Sequence, residues 1–385
     1  MLNNIKKQLK PKKLYLHIGF HKTGTTTIQN FLRINSELIE QKDYLYPVSG
    51  RKYHAHFQLG WGLTPAHVSY NRLFPQMDKL WGELAQEISA KSFSNIILSA
   101  EAFDLVNEHL PKLKEYLARY ETKIIIYLRR QDHLIQSQYG QKIIKPSVKE
   151  TRSIDDFIKN LLENDILVHY SKLLDRWEQF FGKENLIVRI YEKEQLPDGL
   201  VADFLNAVGL TLTQEYLISD RDNKSLHPDV LEFIRLSNQL PLDLDTSNKL
   251  RLECVEMSKQ LSSRSYFDPH SLLSPQQRIE LINHYEESNR YVAQKYLGRE
   301  DGRLFYEPLP DSNDLWRPYS GLSTEKALQI MVQLWASQQK QISAFNHLAS
   351  QQKENLPKND LFNKIKSLGI NPLSKIKKAV LGIIE

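Results

Sequence analysis

Four short apolar runs rich in β-branched residues constrain this chain most: residues 14–18 (LYLHI), 95–98 (NIIL), 123–128 (KIIIYL) and 185–191 (NLIVRIY). Each run has strand length, and each is separated from the next by a stretch long enough for a helix, such as residues 77–88 and 173–181. Strands joined by helix-length connectors lie parallel, and a parallel sheet needs cover on both faces. The expected fold class is therefore α/β, a three-layer domain around a central parallel sheet over residues 14–306, with residues 229–297 helical and packed on its edge. Residues 307–322 begin with Glu307-Pro308-Leu309-Pro310-Asp311 and read as a linker. Beyond them Ser323 or Thr324 can cap a long helix in which Leu328, Trp335, Ile342 and Ala349 recur every seven residues beside Met331 and Phe345. Glutamines within that seam argue against a strong coiled coil. Residues 323–385 are expected to form a helical C-terminal extension.

The chain has 385 residues, of which 41% are apolar and 25% charged, enough to bury a full core and incompatible with collagen or wholesale disorder. A single cysteine, Cys254, rules out an intrachain disulfide and any cysteine-based zinc framework, and fits a reducing compartment. No run approaches the ~20 apolar residues of a spanning helix, and the first residues lack the apolar region of a signal peptide, so a cytoplasmic location is expected. The formal charge of +5 is uneven: residues 1–13 carry five Lys and no acid, and residues 361–385 carry five Lys and one Glu. The ends contribute +5 and +4, leaving −4 for the body between them, which does not describe a nucleic-acid binder.

After the first run, Gly19-Phe20-His21-Lys22-Thr23-Gly24 leads into Thr25-Thr26-Thr27 and a segment of helical spacing through Ile28, Phe31 and Leu32. A glycine-bearing loop between a strand and a helix N-terminus suits an oxyanion, because backbone N–H groups and the helix dipole converge there. Gly19 and Gly24 let the backbone wrap it, the threonines offer hydroxyls and Lys22 offers a point charge. The spacing G-x-x-x-x-G is that of a Walker A loop, yet Thr25 and Thr26 stand where that motif requires Lys and then Ser or Thr.

The run His21-Lys22-Thr23-Gly24-Thr25-Thr26-Thr27 resembles the 5′-phosphosulfate loop of sulfotransferases that use 3′-phosphoadenosine 5′-phosphosulfate (PAPS). A second motif agrees. Those enzymes place an arginine at a strand end and a serine eight residues later to hold the 3′-phosphate, and Arg129 and Ser137 have that separation after the third run. Asp132 can cap the intervening helix, and Arg129 offers a bidentate fork. Weaker landmarks of bacterial sulfotransferase-family proteins related to the heparan type are Arg189-Ile190-Tyr191, Asp203-Phe204-Leu205, Asn223-Lys224-Ser225-Leu226, Glu287-Ser288-Asn289-Arg290 and Leu304-Phe305. The resemblance covers residues 14–305 and implies a P-loop NTPase-like fold, PAPS as co-substrate with 3′-phosphoadenosine 5′-phosphate (PAP) as product, and a hydroxyl acceptor, here of a carbohydrate such as a polysaccharide or glycolipid.

Sulfuryl transfer needs in-line geometry, a cation for the leaving phosphate and a base for the acceptor proton, and it requires no divalent metal. Lys22 is the expected leaving-group cation, with His21 a neighbour of the donor. Two bases are in view: His56, in Tyr53-His54-Ala55-His56-Phe57, ranked first for its imidazole pKa, and Glu101, just past the second run, where strand ends face the ligand crevice. Two other readings compete: a P-loop nucleoside or sugar kinase, disfavoured by the residues after Gly24, and a catalytically silent nucleotide-binding or membrane-scaffold protein. Near the end, Leu373, Ile376, Val380, Ile383 and Ile384 form one face of a basic amphipathic helix that suits an anionic membrane surface, the protein's own core or a second copy of the chain.

Overall fold

The computed structural model describes residues 11–65, 69–163, 169–218, 226–262, 272–311, 316 and 318–352. Five strands, β1 (Lys13–His17), β2 (Tyr44–Leu45), β3 (Asn95–Ser99), β4 (Glu121–Leu128) and β5 (Leu186–Ile190), form one parallel sheet in the order β2-β3-β1-β4-β5. Helices α1 (Thr25–Ile34), α2 (Ser36–Gln41), α3 (Phe57–Trp61), α4 (Met77–Ala90), α5 (Leu110–Leu117), α6 (Gln131–Ile144), α7 (Ile154–Glu163), α8 (Tyr170–Phe181) and α9 (Leu200–Val208) accompany the strands along the chain. After them come α10 (Pro228–Ser237), α11 (Leu244–Ser262), α12 (Pro275–His284), α13 (Glu286–Leu297) and α14 (Thr324–Gln352). The four apolar runs are β1, β3, β4 and β5. The two-residue edge strand β2 is too short to show a period, and only its pairing with Asn95 and Ile96 identifies it.

Strand side chains alternate between the faces, so each strand feeds two cores. Leu14, Leu16, Ile96, Leu98, Ile124, Ile126, Val188 and Ile190 pack on one side with residues of α4, α5, α8 and α13. Ile97, Ile125 and Tyr127 pack on the other with Ile28, Phe31 and Leu32 of α1 and Phe204, Leu205 and Val208 of α9. This is the three-layer P-loop-like arrangement expected from the sequence. Because β1 lies between β3 and β4, their carboxyl ends bring residues 18–24, Glu101 and Arg129 to one end of the sheet.

The described residues fall into two compact units. The first holds those up to 139, from 152 to 218 and from 272 to 318; the second holds those from 140 to 151, from 226 to 262 and from 319 onward. Residues 226–262 thus group with α14, a division that differs from a single domain over 14–306. Within the second unit α14 packs on α10 and α11. Ser323 caps it, its hydroxyl accepting from the Lys326 amide, as its position suggested. The seven-residue row is not the packed face: Leu328, Trp335 and Ile342 are exposed by 55, 63 and 51%, whereas Ile330 and Leu334 are buried. Ser337 and Gln341 continue the buried side by donating to Glu253 of α11. The terminal amphipathic segment at 373–384 and most of the landmark at 223–226 lie outside the described residues, as do parts of the linker. No described helix is long and apolar enough to cross a membrane.

The packed face of α14 makes an unequal pair of substitutions. Leu334→Ala should lower the unfolding free energy by at least about 2 kcal/mol, and Trp335→Ala should change it by no more than ~0.5 kcal/mol, read by urea denaturation of the full chain. Equal losses would place the row of sevens in the core instead.

Candidate functional site

The loop after β1 takes a backbone course that few residues adopt. Gly19 (φ +61°) and Gly24 (φ +77°) are left-handed, and so is Lys22 (φ +69°), a conformation that costs a non-glycine residue on the order of 1–3 kcal/mol. A Cβ on Gly19 would meet the Cα of Glu101 at 3.0 Å and the Thr25 methyl at 2.9 Å, so the loop lies directly against the end of β3. A Cβ on Gly24 would meet Leu200 and Tyr191, which fixes the other side. Thr23 closes the turn by donating its hydroxyl and its amide to the Phe20 carbonyl.

Gly24 is also the N-cap of α1 and supplies no side-chain acceptor. Thr27 and Ile28 donate their amides to the Gly24 carbonyl, which leaves the amides of Thr25 and Thr26 without an intrahelical acceptor. Thr25 is buried, and Thr26 and Thr27 are partly exposed at the same end. The loop therefore ends in backbone donors that an anion can satisfy.

Two cations flank these donors without a carboxylate on either. Arg129, at the end of β4, donates from Nη1 to the Lys22 carbonyl (2.8 Å), stacks over the Tyr191 ring at 5.5 Å and has no ion-pair partner among the described residues. Its carbonyl in turn accepts the Tyr170 hydroxyl. Lys22 likewise has no ion pair among the described residues. Burial holds its ammonium below the ordinary lysine value, the Arg129 charge adds to the drop, and Glu101 opposes it. The adjacent Arg130 is used differently: it is buried and divided between Asp132 (2.9 and 3.0 Å) and Glu307 (2.8 Å). Asp132, expected as a helix cap, instead sits in the first turn of α6 and holds both Arg130 and Arg278. Ser137 is partly exposed two turns into the same helix.

The two proposed bases part ways. His56 is fully buried, with Nδ1 accepting the Ser99 amide (3.1 Å) and Nε2 donating to the Pro47 carbonyl (3.0 Å). Burial lowers its pKa to about 3. Neither nitrogen is open to an acceptor hydroxyl, so the first-ranked base is corrected to a structural residue. Glu101 is partly exposed at the start of a 3₁₀ turn over Glu101–Leu105, where it touches the loop and accepts from Gln29 Nε2 at 3.2 Å. His21 is about one-third exposed, with its Nε2 3.7 Å from the Asp104 carboxylate.

Two residues unremarked in the sequence, Gln29 and Asp104, join the landmark residue Tyr191 in completing the surroundings. Gln29, one turn into α1 from Thr25, bridges Glu101 and the Ser99 hydroxyl, which also pairs with His17 Nδ1. Asp104 follows Glu101 by three residues, a spacing that stacks side chains on a 3₁₀ turn. Tyr191 carries Arg129. The other landmarks join elements: Arg189 pairs with Asp203, which also accepts from Tyr127 (2.6 Å), and Asn289 exchanges amide hydrogen bonds with Gln131 (2.7 and 3.0 Å). No group of three or more His, Cys, Asp or Glu side chains among the described residues is placed to hold a metal ion.

No family model matches the chain. A protein of Archaeoglobus fulgidus described as uncharacterized is 30% identical over 210 residues, which span 54% of this chain and 55% of that protein. The chain thus matches about half the length of that relative. A solved structure, a sulfotransferase from Alicyclobacillus acidocaldarius, is 17% identical with a TM-score of 0.36 over 60% of this chain and 97% of that one. At these similarities neither comparison assigns an activity, and the functional reading rests on the residues above.

Buried neutral histidines make the fold acid-sensitive. A histidine whose pKa is lowered on folding costs stability as pH falls through its unfolded value, here 6.5, until it protonates in the folded state near 3. His56 and His17 should each remove about 2 kcal/mol at pH 5 relative to neutral pH. His56→Gln should flatten the loss of stability between pH 6.5 and 4 in a series of denaturation curves. An unchanged slope would show that His56 is not buried neutral.

Proposed function

We propose that this protein is a sulfotransferase that moves the sulfuryl group of PAPS to a hydroxyl of a carbohydrate. The observation that carries the reading is the pair of cations, Lys22 and Arg129, neither in an ion pair among the described residues, tied together by one hydrogen bond around a loop that ends in amides without an intrahelical acceptor. An apolar or cationic ligand would leave both charges unanswered. A nucleotide with phosphates at both ends answers both, the 5′-phosphosulfate on the loop and the 3′-phosphate on Arg129 and Ser137. The carbohydrate acceptor follows from the sequence resemblance. It is supported by the stacked rings of Phe57 and Trp61 (5.2 Å), with Lys52 over Trp61 at 5.1 Å, on a helix whose Gly60 abuts Ala102 beside Glu101.

In this mechanism the acceptor oxygen attacks sulfur as the bond from sulfur to the 5′-phosphate oxygen breaks, and that electron pair stays on the phosphate. The Lys22 ammonium neutralises the charge that grows there, where it is most valuable in the transition state. Glu101 takes the acceptor proton and, with its Gln29 hydrogen bond fixing one oxygen, presents the other. The threonine amides and hydroxyls hold the non-bridging oxygens.

PAP should bind more tightly than ADP, and Arg129→Ala should weaken PAP by roughly 2 kcal/mol more than it weakens ADP, read by isothermal titration. Equal affinity of the wild type for the two ligands would overturn the donor assignment.

Turnover tests the chemistry separately. Lys22→Ala should lower kcat far more than it raises the donor KM, and Glu101→Gln should lower the rate by about 10²–10⁴-fold with donor affinity retained. Activity should persist in excess EDTA. Strict magnesium dependence, or a full rate in Glu101→Gln, would remove this mechanism.

A further inference from the structure

Helix α14 carries two rows of side chains, and the fold uses one. Ile330 and Leu334 are buried, and Ser337 and Gln341 on the same side bond to Glu253 of α11. The other row, Leu328, Met331, Val332, Trp335 and Ile342, is 51 to 63% exposed, and the half-buried Phe345 extends it. Single exposed apolar side chains are ordinary, but five on one stripe of one helix form a patch that calls for cover. From Leu328 to Phe345 the stripe is roughly 26 Å long at 1.5 Å per residue. Its charge says what covers it. Residues 327–352 hold one formal charge, Lys340, where the chain's average of 25% would put about six. A helix face meant for water carries charge, and the centre of a protein interface is depleted of it. An uncharged face also suits pairing with its own copy, because two copies of a charged face repel. The basic terminal segment would meet no acid on α14 beyond Glu325, and an anionic membrane would find too few cations on this helix.

We propose that α14 is a self-association surface, on which two copies of the chain pair their α14 helices antiparallel about a two-fold axis so that each exposed row covers the other. The recurrence of Leu328, Trp335 and Ile342 every seven residues is the period that keeps a row against a second helix along its length. Helix α14 has 29 residues; among the described residues the next longest helix, α11, has 19 and already packs on the other side of α14. A partner of matching length and period is therefore another α14. About a two-fold axis a residue i opposes j wherever j opposes i. One antiparallel register sets Leu328 opposite Phe345, Met331 opposite Ile342 and Trp335 opposite Gln338, with Val332 flanking the seam. The glutamine that interrupts the row then faces an indole N–H, which donates to its amide oxygen. A parallel pairing would instead stack Trp335 on Trp335 and bury Gln338 against Gln338. Gln338 thus weakens the association and fixes its register, the use to which a lone polar residue in such a seam is put.

The test is the mass of the full chain by analytical ultracentrifugation. At about 50 μM the wild type should sediment at twice the mass of one chain and return to one on dilution. Salt between about 0.05 and 0.5 M should change this little, since the seam has no facing charges to screen. Trp335→Glu, at a side chain the fold leaves exposed, should weaken the association ~30-fold or more, the scale of an aromatic hot spot. It should keep the urea midpoint of the dissociated wild type, the state to which the small effect of Trp335→Ala also refers. Met331→Cys and Ile342→Cys, made in separate chains, test the register. Copper-catalysed air oxidation should join the two in a mixture and leave each alone unjoined, because like positions lie at least roughly 16 Å apart, beyond disulfide reach. Cys254 is buried and takes no part. A wild type of single mass at about 50 μM would overturn the proposal. If Trp335→Glu then lowers the urea midpoint, the cover is the terminal segment at 373–384; if the wild type then sediments with phosphatidylserine vesicles and Trp335→Glu does not, it is a membrane. A double mass that persists in Trp335→Glu would move the interface elsewhere, and joining of either cysteine chain to itself would overturn the antiparallel register. None of these outcomes bears on the donor loop.

Discussion

The hydrogen bond from Arg129 Nη1 to the Lys22 carbonyl is the contact on which the site depends. It ties the loop after β1 to the end of β4 and holds a guanidinium close to an ammonium, an arrangement that two like charges oppose. A protein bent on stability would neutralise them, and it has the means nearby: Asp132 and Glu307 bear on the Arg129 charge from a distance. Those acids are engaged instead by Arg130, Arg278 and His133. Two adjacent arginines therefore divide the work, Arg130 locking α6 to the segment at Glu307 and Arg129 keeping its charge for something outside the chain. The carbonyl that accepts that bond belongs to Lys22, itself in the left-handed conformation.

On the other side of the loop, support comes from a network of neutral groups. The Ser99 amide donates to His56, its hydroxyl meets His17 and Gln29, and Gln29 also reaches Glu101. The bonds at Ser99 and Glu101 join residues 43 to 82 positions apart, so the end of β3 is positioned by contacts that no short segment contains, although His17 Nε2 and Gln29 Oε1 have no partner among the described residues. Burial keeps both histidines uncharged at neutral pH, and a charged one there would disrupt the bonds that hold Glu101 in place.

What was legible in the sequence had a local physical cause. The four strands announced themselves by β-branched runs, the loop by glycines that its backbone angles require, and the Ser323 cap by its place before an apolar period. The misreadings have the opposite origin. His56 looked like a base because an imidazole titrates near neutrality, and only the Pro47 carbonyl and the Ser99 amide, both brought in by tertiary folding, use up its nitrogens. The row of sevens in α14 was real as a pattern, but the helix turns Ile330 and Leu334 inward, one position before Met331 and Trp335. Asp104 carried no signal, since an acid three residues after another on an apolar turn reads as surface until its burial is seen.

Charge balance connects these observations. Around one loop stand Lys22, Arg129 and a histidine that faces a buried acid, while Glu101 approaches from the end of β3 and the first amides of α1 point into the same space. Without a ligand the cations repel, Lys22 is pushed toward deprotonation, and the α1 amides lack acceptors. An anion on the loop reverses each of these at once. Binding energy of that kind adds to the stability of the folded chain, because the unfolded chain has no such site to fill. The strain in Lys22 and the burial of Asp104 are then features of a site that an anion would complete, and their cost is carried by the two cores that hold β1, β3 and β4 in register.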